Sequence, residues 1–188
     1  GVKAATEYAI LNANYMRASL QKEFDILYLG TNGTCAHEFI VEKKKKKKSA
    51  EVETEDVAKR LIDYGFHAPT MSFPVPGTIM IEPTESEDQG ELDRFCDAML
   101  EIRKEIRAIE EGKADKKDNV LKHAPHTQEV VISDNWNRPY SREEAAFPLP
   151  YVRNGKFWPS ISRVNNTHGD RHLICTCEPV SSYAESEA

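Results

Sequence analysis

Six histidines and four cysteines are the side chains best suited to metal ligation or proton transfer in this chain. Four of them, His168, His172, Cys175 and Cys177, gather late in the sequence. Zinc sites use such donors, but a Cys-x-Cys pair lacks the two-residue chelate loop of the common motifs. On a strand the pair would point both thiols to one face. The expectation is therefore no metal, with a redox role for Cys175 and Cys177 as the chemistry their closeness suggests. His123 and His126 flank an Ala-Pro pair and read as ordinary surface residues. His37 falls in an expected strand, and His67 and Thr70 fall in a proline-restricted loop. Such a loop can present a rigid donor to a ligand, yet the residues alone favour a structural histidine bonded to backbone. Glu82, Glu85 and Glu87 suggest carboxylate catalysis, but helix capping accounts for them. The chain shows no phosphate-binding P-loop, dinucleotide glycine turn, nucleophile elbow or His-Glu-x-x-His motif. No catalytic or cofactor-binding residue follows from the residues themselves.

Charge narrows the partners. The 188 residues carry 25 basic and 31 acidic side chains, a net charge of -6. Six of the lysines form one run at positions 43–48, and without them 19 basic side chains face 31 acidic ones. An acidic surface of this kind argues against nucleic acid as a partner. The lysine run reads as a solvated loop, because adjacent like charges repel and resist burial. No apolar stretch approaches the roughly 18 residues that span a bilayer, so no membrane is expected. Four cysteines are too few for a secreted disulfide scaffold, which makes an intracellular or organellar compartment the default. At 39% hydrophobic residues and a mean hydropathy of -0.60, the chain is lean for a globular domain. Such a piece can bury one face against something else.

The elements that must position these residues follow from periodicity. Residues 4–22 read as a helix, with Tyr8, Leu11, Tyr15 and Met16 at helical spacing. Strands are expected at 24–29 and 36–41, joined through an Asn-Gly turn. Thr54 is positioned to cap a helix over 54–64, with Val57, Ala58, Leu61 and Ile62 inward and Gly65 as its stop. A strand at 78–82 precedes the strongest helix, which opens at two overlapping capping boxes, Thr84 with Glu87 and Ser86 with Gln89. Its stripe is Leu92, Phe95, Cys96, Met99, Ile102, Ile106 and Ile109, and Gly112 ends it. Beyond lie a weak strand at 129–132, an arm rich in Pro and aromatic residues, and a final strand at 173–177. The fold class is α+β: a small antiparallel sheet covered by helices, plus an extended carboxy-terminal arm. The expected division is a helix over 1–22 that links to a larger domain, a small α+β domain over 23–112, and the arm with its strand over 113–188.

Longer strings carry a resemblance. Ala9-Ile10-Leu11-Asn12-Ala13-Asn14-Tyr15-Met16, Ala36-His37-Glu38-Phe39-Ile40 and Glu55-Asp56-Val57-Ala58-Lys59-Arg60-Leu61 resemble segments of the glycine cleavage system P-protein family. So do Asp63-Tyr64-Gly65-Phe66-His67, Pro69-Thr70-Met71-Ser72, Glu82 to Glu87 and Leu92 to Asp97. Arg138-Pro139-Tyr140-Ser141-Arg142-Glu143 and Lys156-Phe157-Trp158-Pro159 continue the likeness in the family's order. The stretch from Gly169 to Cys177 is similar to the animal-type enzymes, and Glu42 with the six lysines departs from the family's pattern.

The family is the glycine dehydrogenases (decarboxylating), which use pyridoxal 5'-phosphate. The resemblance implies the small carboxy-terminal domain of a fold-type-I enzyme, acting in the mitochondrial matrix as part of a homodimer. It implies that the large domain holds most of the cofactor, and that the cofactor-bearing lysine lies upstream of Gly1. The absence of an initiator Met fits that expectation. The implied reaction removes the carboxylate of glycine as carbon dioxide, with the cofactor as electron sink. The aminomethyl group then passes to the lipoyl arm of the H-protein. His37, His67 and Thr70 are the residues expected to line the cleft, without an acid–base role. The alternative is a non-catalytic binding or regulatory module built on the same small domain.

Overall fold

The computed structural model describes residues 1–43, 50–174 and 177–183. The chain opens with helix α1, Val2–Leu20, followed by strands β1, Phe24–Leu27, and β2, Phe39–Lys43. Helix α2, Thr54–Asp63, leads to the short β3, Thr70–Met71, then β4, Thr78–Ile81, and the long α3, Gln89–Glu110. Five short helices follow: α4, Val120–His123; α5, Gln128–Ile132; α6, Arg142–Ala146; α7, Pro150–Asn154; and α8, Asn166–Arg171. A 3-10 turn, Val180–Tyr183, closes the described chain.

The strands form one antiparallel sheet in the order β1-β2-β4-β3. Val41 lies opposite Ile26 on one side and Ile79 on the other, and Phe39 lies opposite Ile81. The core joins Phe39, Val41, Ile79 and Ile81 of the sheet to Leu61 of α2 and to Ala13, Met16 and Leu20 of α1. All seven residues of the expected α3 stripe are buried there. Full burial of each large apolar side chain is worth roughly 1.5–3 kcal/mol, so this stripe is the main reason α3 sits where it does. The expected α+β class is what the chain adopts.

Local departures have physical causes. Asp88 caps α3, accepting from the Glu91 main-chain N–H at 2.9 Å. Thr84 instead sits at φ 61 and accepts from the Ser86 N–H, so residues 84–86 form a turn before the helix begins. Glu53, not Thr54, caps α2, in a reciprocal pair with Asp56. Gly65 and Gly112 stop their helices as expected, at φ 89 and 74. In α1 the buried face is Ala13, Met16 and Leu20, whereas Tyr8 and Leu11 are exposed. The expected strand at 129–132 is helix α5, because the Thr127 hydroxyl caps it by accepting from the Val130 N–H. In the expected strand at 173–177, Leu173, Ile174 and Cys177 have irregular backbone, and residues 175–176 lie outside the described residues. Lys43 ends β2, and the remainder of the lysine run lies outside them too.

Candidate functional site

The end of α2 builds the candidate site. Left-handed Gly65 turns the chain out of the helix, and the Phe66 N–H donates back to the Leu61 carbonyl at 3.0 Å. Phe66 packs edge-on against Phe95 of α3, with ring centroids 5.2 Å apart. The chain then crosses to β3, where Thr70 pairs with Met80. His67 and Thr70 thereby reach one cavity of about 360 Å³, floored by Met16, Leu92 and Phe95 and walled by Glu82, Glu87 and Glu91. His37 precedes β2, which begins at Phe39 and not at the expected residue 36, and it is exposed outside this lining, with Nε2 3.9 Å from the Glu82 carboxylate on the cavity wall. Two of the three expected cleft residues thus share one cavity, and the third, His37, lies outside its lining. His67 also borders a second, more apolar groove of about 440 Å³ with Ile62, Pro125, Phe157 and Ile161.

Pyridoxal phosphate, the cofactor implied by the resemblance, carries a phosphate dianion. Glu91 is paired with Arg94, but Glu82 and Glu87 repel such a group, and no Lys or Arg lines the first cavity. The second groove has a single lysine, Lys59. Neither of these two cavities therefore forms a phosphate cradle of its own.

The thiols differ in setting. Burial pushes the Cys96 thiol up to about 12 and raises Cys35 as well, so both are poor nucleophiles. Cys177 is exposed, and Cys175 lies outside the described residues. His168 and His172 stack at 4.1 Å between centroids. Among the described residues no group of three or more His, Cys, Asp or Glu could hold a metal. Nor, among them, is any helix long and apolar enough to cross a membrane.

The sequence reading missed a buried network behind the site. His126 is not a surface residue: it is 1% exposed, and its neighbour His123 is partly buried. The His126 main-chain N–H donates to Asp63 Oδ1 at 2.7 Å, and its Nδ1 lies 2.8 Å from Asp63 Oδ2. Its Nε2 lies 2.9 Å from the Tyr140 hydroxyl. Arg60, fully buried, donates to Asp63, to Glu105 at 2.7 Å, and to the Glu144 and Ala145 carbonyls. Burial alone would raise the Asp63 carboxyl, but bonds from His126 and the charge of Arg60 hold it below the usual range. Burial dominates at Glu105 and leaves its carboxyl raised despite Arg60. Lys156 donates to the Asp63 carbonyl at 2.7 Å, and burial lowers its amine to about 8. An Arg and an Asp three apart on one helix face were visible in sequence. Their partners from 45 to 93 residues away were not.

Comparison with known proteins follows the same lines as these residues. A family model described as "Glycine dehydrogenase, C-terminal domain" matches residues 5–126. Glycine dehydrogenase (decarboxylating), mitochondrial, of Mus musculus is 61% identical over 184 residues, 97% of this chain and 18% of the relative. The Gallus gallus protein of that name is 60% identical over 184 residues, with the same coverage. The Solanum tuberosum protein is 58% identical over all 188 residues, 18% of its own length. The chain thus spans under a fifth of the curated relatives it matches. This chain belongs to the family of glycine dehydrogenase C-terminal domains.

Proposed function

We propose that the chain is the carboxy-terminal part of a mitochondrial-matrix enzyme that decarboxylates glycine and passes the aminomethyl group to the lipoyl arm of the H-protein. The observation that carries this reading is the convergence of His67 and Thr70 on one cavity at the sheet edge, within the stretch matched by the family model. The pyridoxal phosphate belongs to the larger domain, which accords with the carboxylate walls here. This chain's residues then shape and close the cleft. Pro69 and the pairing of Thr70 with Met80 fix the backbone, so His67 and Thr70 are held ready to orient a small polar reactant. Phe66, Leu92 and Phe95 exclude water from the floor. His37 lines the rim through Glu82. Residues 1–22 link to the larger domain, which covers the exposed Tyr8 and Leu11 of α1, residues 23–112 form the small domain, and the arm over 113–188 wraps the body. The working form is a homodimer.

The test uses the full-length protein. His67→Asn and Thr70→Val are each expected to lower kcat/KM for glycine about tenfold, the effect of losing a positioning contact. Cofactor content should be unchanged. Release of carbon dioxide from carboxyl-labelled glycine, with lipoylated H-protein present, reads the effect. Full activity in both variants sinks the cleft assignment.

A further inference from the structure

The buried network and the candidate cavity meet at the last turn of α2. Asp63 is the final residue of that helix, and His67 follows it by four residues. Three groups from beyond Gly112 grip Asp63: the His126 main-chain N–H, the His126 ring and Lys156. Tyr140 holds the far nitrogen of the same ring at 2.9 Å, and the Trp136 indole N–H holds the Tyr140 carbonyl at 2.9 Å. Arg60 balances the charge from within α2. The two His126 bonds reach the buried carboxylate and are charge-assisted, stronger than neutral ones; the Lys156 bond is to the Asp63 main-chain carbonyl. They lock a helix end that would otherwise fray. On the other side Phe95 pins Phe66. The segment bearing His67 and Thr70 is therefore held between α3 and the arm.

We propose that His126 is a positioning residue for the cleft, setting the place of His67 and Thr70 through Asp63. This rests on reading the cavity as part of the glycine-decarboxylating cleft. His126 is buried and lines neither cavity that His67 borders, and its bonds to Asp63 tie it to the end of α2. A shift of 1 Å in a reacting geometry can lower a rate by about 10²-fold, which leaves ample room for an effect at this distance.

The experiment uses the full-length enzyme and variants of His126, alone and in a His67→Asn background. In His126→Asn an amide nitrogen stands near the place of Nδ1 and keeps a donor towards Asp63. In His126→Gln the amide reaches towards Tyr140 and that donor is lost. The expected result is a loss in kcat/KM for glycine of about tenfold for His126→Gln and under about threefold for His126→Asn. In a His67→Asn background the His126→Gln loss should shrink to under about threefold, because coupled residues are not additive. A full tenfold loss in both backgrounds overturns the inference, and so do equal losses for Asn and Gln or no loss at all. If His126→Gln does not fold, Tyr140→Phe removes only the hydroxyl that holds Nε2. It should cost about threefold, and that loss should vanish in the His67→Asn background; persistence there overturns the inference. If His67→Asn alone leaves activity unchanged, the cleft reading falls and this inference with it. Independent losses beside an impaired His67→Asn overturn the positioning role alone.

Discussion

Replacing Arg60 with Met should be among the most damaging single changes to the stability of this chain. The guanidinium is fully buried and bonds to two carboxylates, Asp63 at 3.0 Å and Glu105 at 2.7 Å, besides two carbonyls. Met fills much of the same volume, so packing is largely kept, but both carboxylates lose their cation. Removing one partner of a buried ion pair typically destabilises by about 3–5 kcal/mol. That is roughly a 10²- to 10³-fold or larger shift of the folding equilibrium. Adding Glu105→Gln should restore about 1–2 kcal/mol by removing one stranded charge. The loss should also depend on pH. Glu105 has a raised folded-state carboxyl, so its contribution is complete below its unfolded pKa and is lost as pH rises through the folded one. Without Arg60 the carboxyl rises further, and the penalty should be larger at pH 8 than at pH 5. Urea unfolding of the chain, followed by fluorescence of Trp136 and Trp158, reads all three effects. Trp136 donates to the Tyr140 carbonyl beside the network, so its signal reports on the right region. A loss under about 1 kcal/mol, the range of an exposed pair, or one independent of pH, would mean that Arg60 does not neutralise buried carboxylates here.

Other consequences can be checked on the same material. Lys156 has its amine lowered to about 8 by burial, so stability should climb as pH rises from about 8 towards the ordinary lysine value of about 10.4; Lys156→Met should flatten that climb in the urea midpoint. Ile102→Ala should cost about 2–5 kcal/mol, since Ile102 is 0% exposed at the centre of the α3 stripe; a loss near zero would mean the stripe is not the core. Asp88→Ala should cost about 0.5–2 kcal/mol by removing the cap of α3, read by thermal unfolding. Cys175→Ala with Cys177→Ala tests the redox proposal: if the full-length enzyme responds to oxidant as before, those thiols play no such part.

Local rules carried much of the architecture. The seven-residue stripe of α3, the helix-ending roles of Gly65 and Gly112, and three of the four strands are patterns of period and turn chemistry within one element. The two-residue β3 was invisible because nothing in so short a segment has a period; it exists through its pairing with β4. Residues 129–132, expected as a strand, are helical because the Thr127 hydroxyl caps them at a distance no strand pattern registers. In α1, Tyr8 and Leu11 keep the helical spacing while lying off the buried face, since periodicity does not say which face is covered. His67 and Thr70 could be singled out from their restricted loop, yet their shared cavity needed Glu82 and α3 to be placed. His126 was misread because its partner Asp63 is 63 residues away, and no spacing rule joins them.

The most direct test of the proposed function is release of carbon dioxide from carboxyl-labelled glycine, with lipoylated H-protein and pyridoxal phosphate present. The full-length protein is compared with this 188-residue chain alone. Release is expected from the full-length protein and none from the chain. Release by the isolated chain, or its absence from the full-length protein, would contradict it.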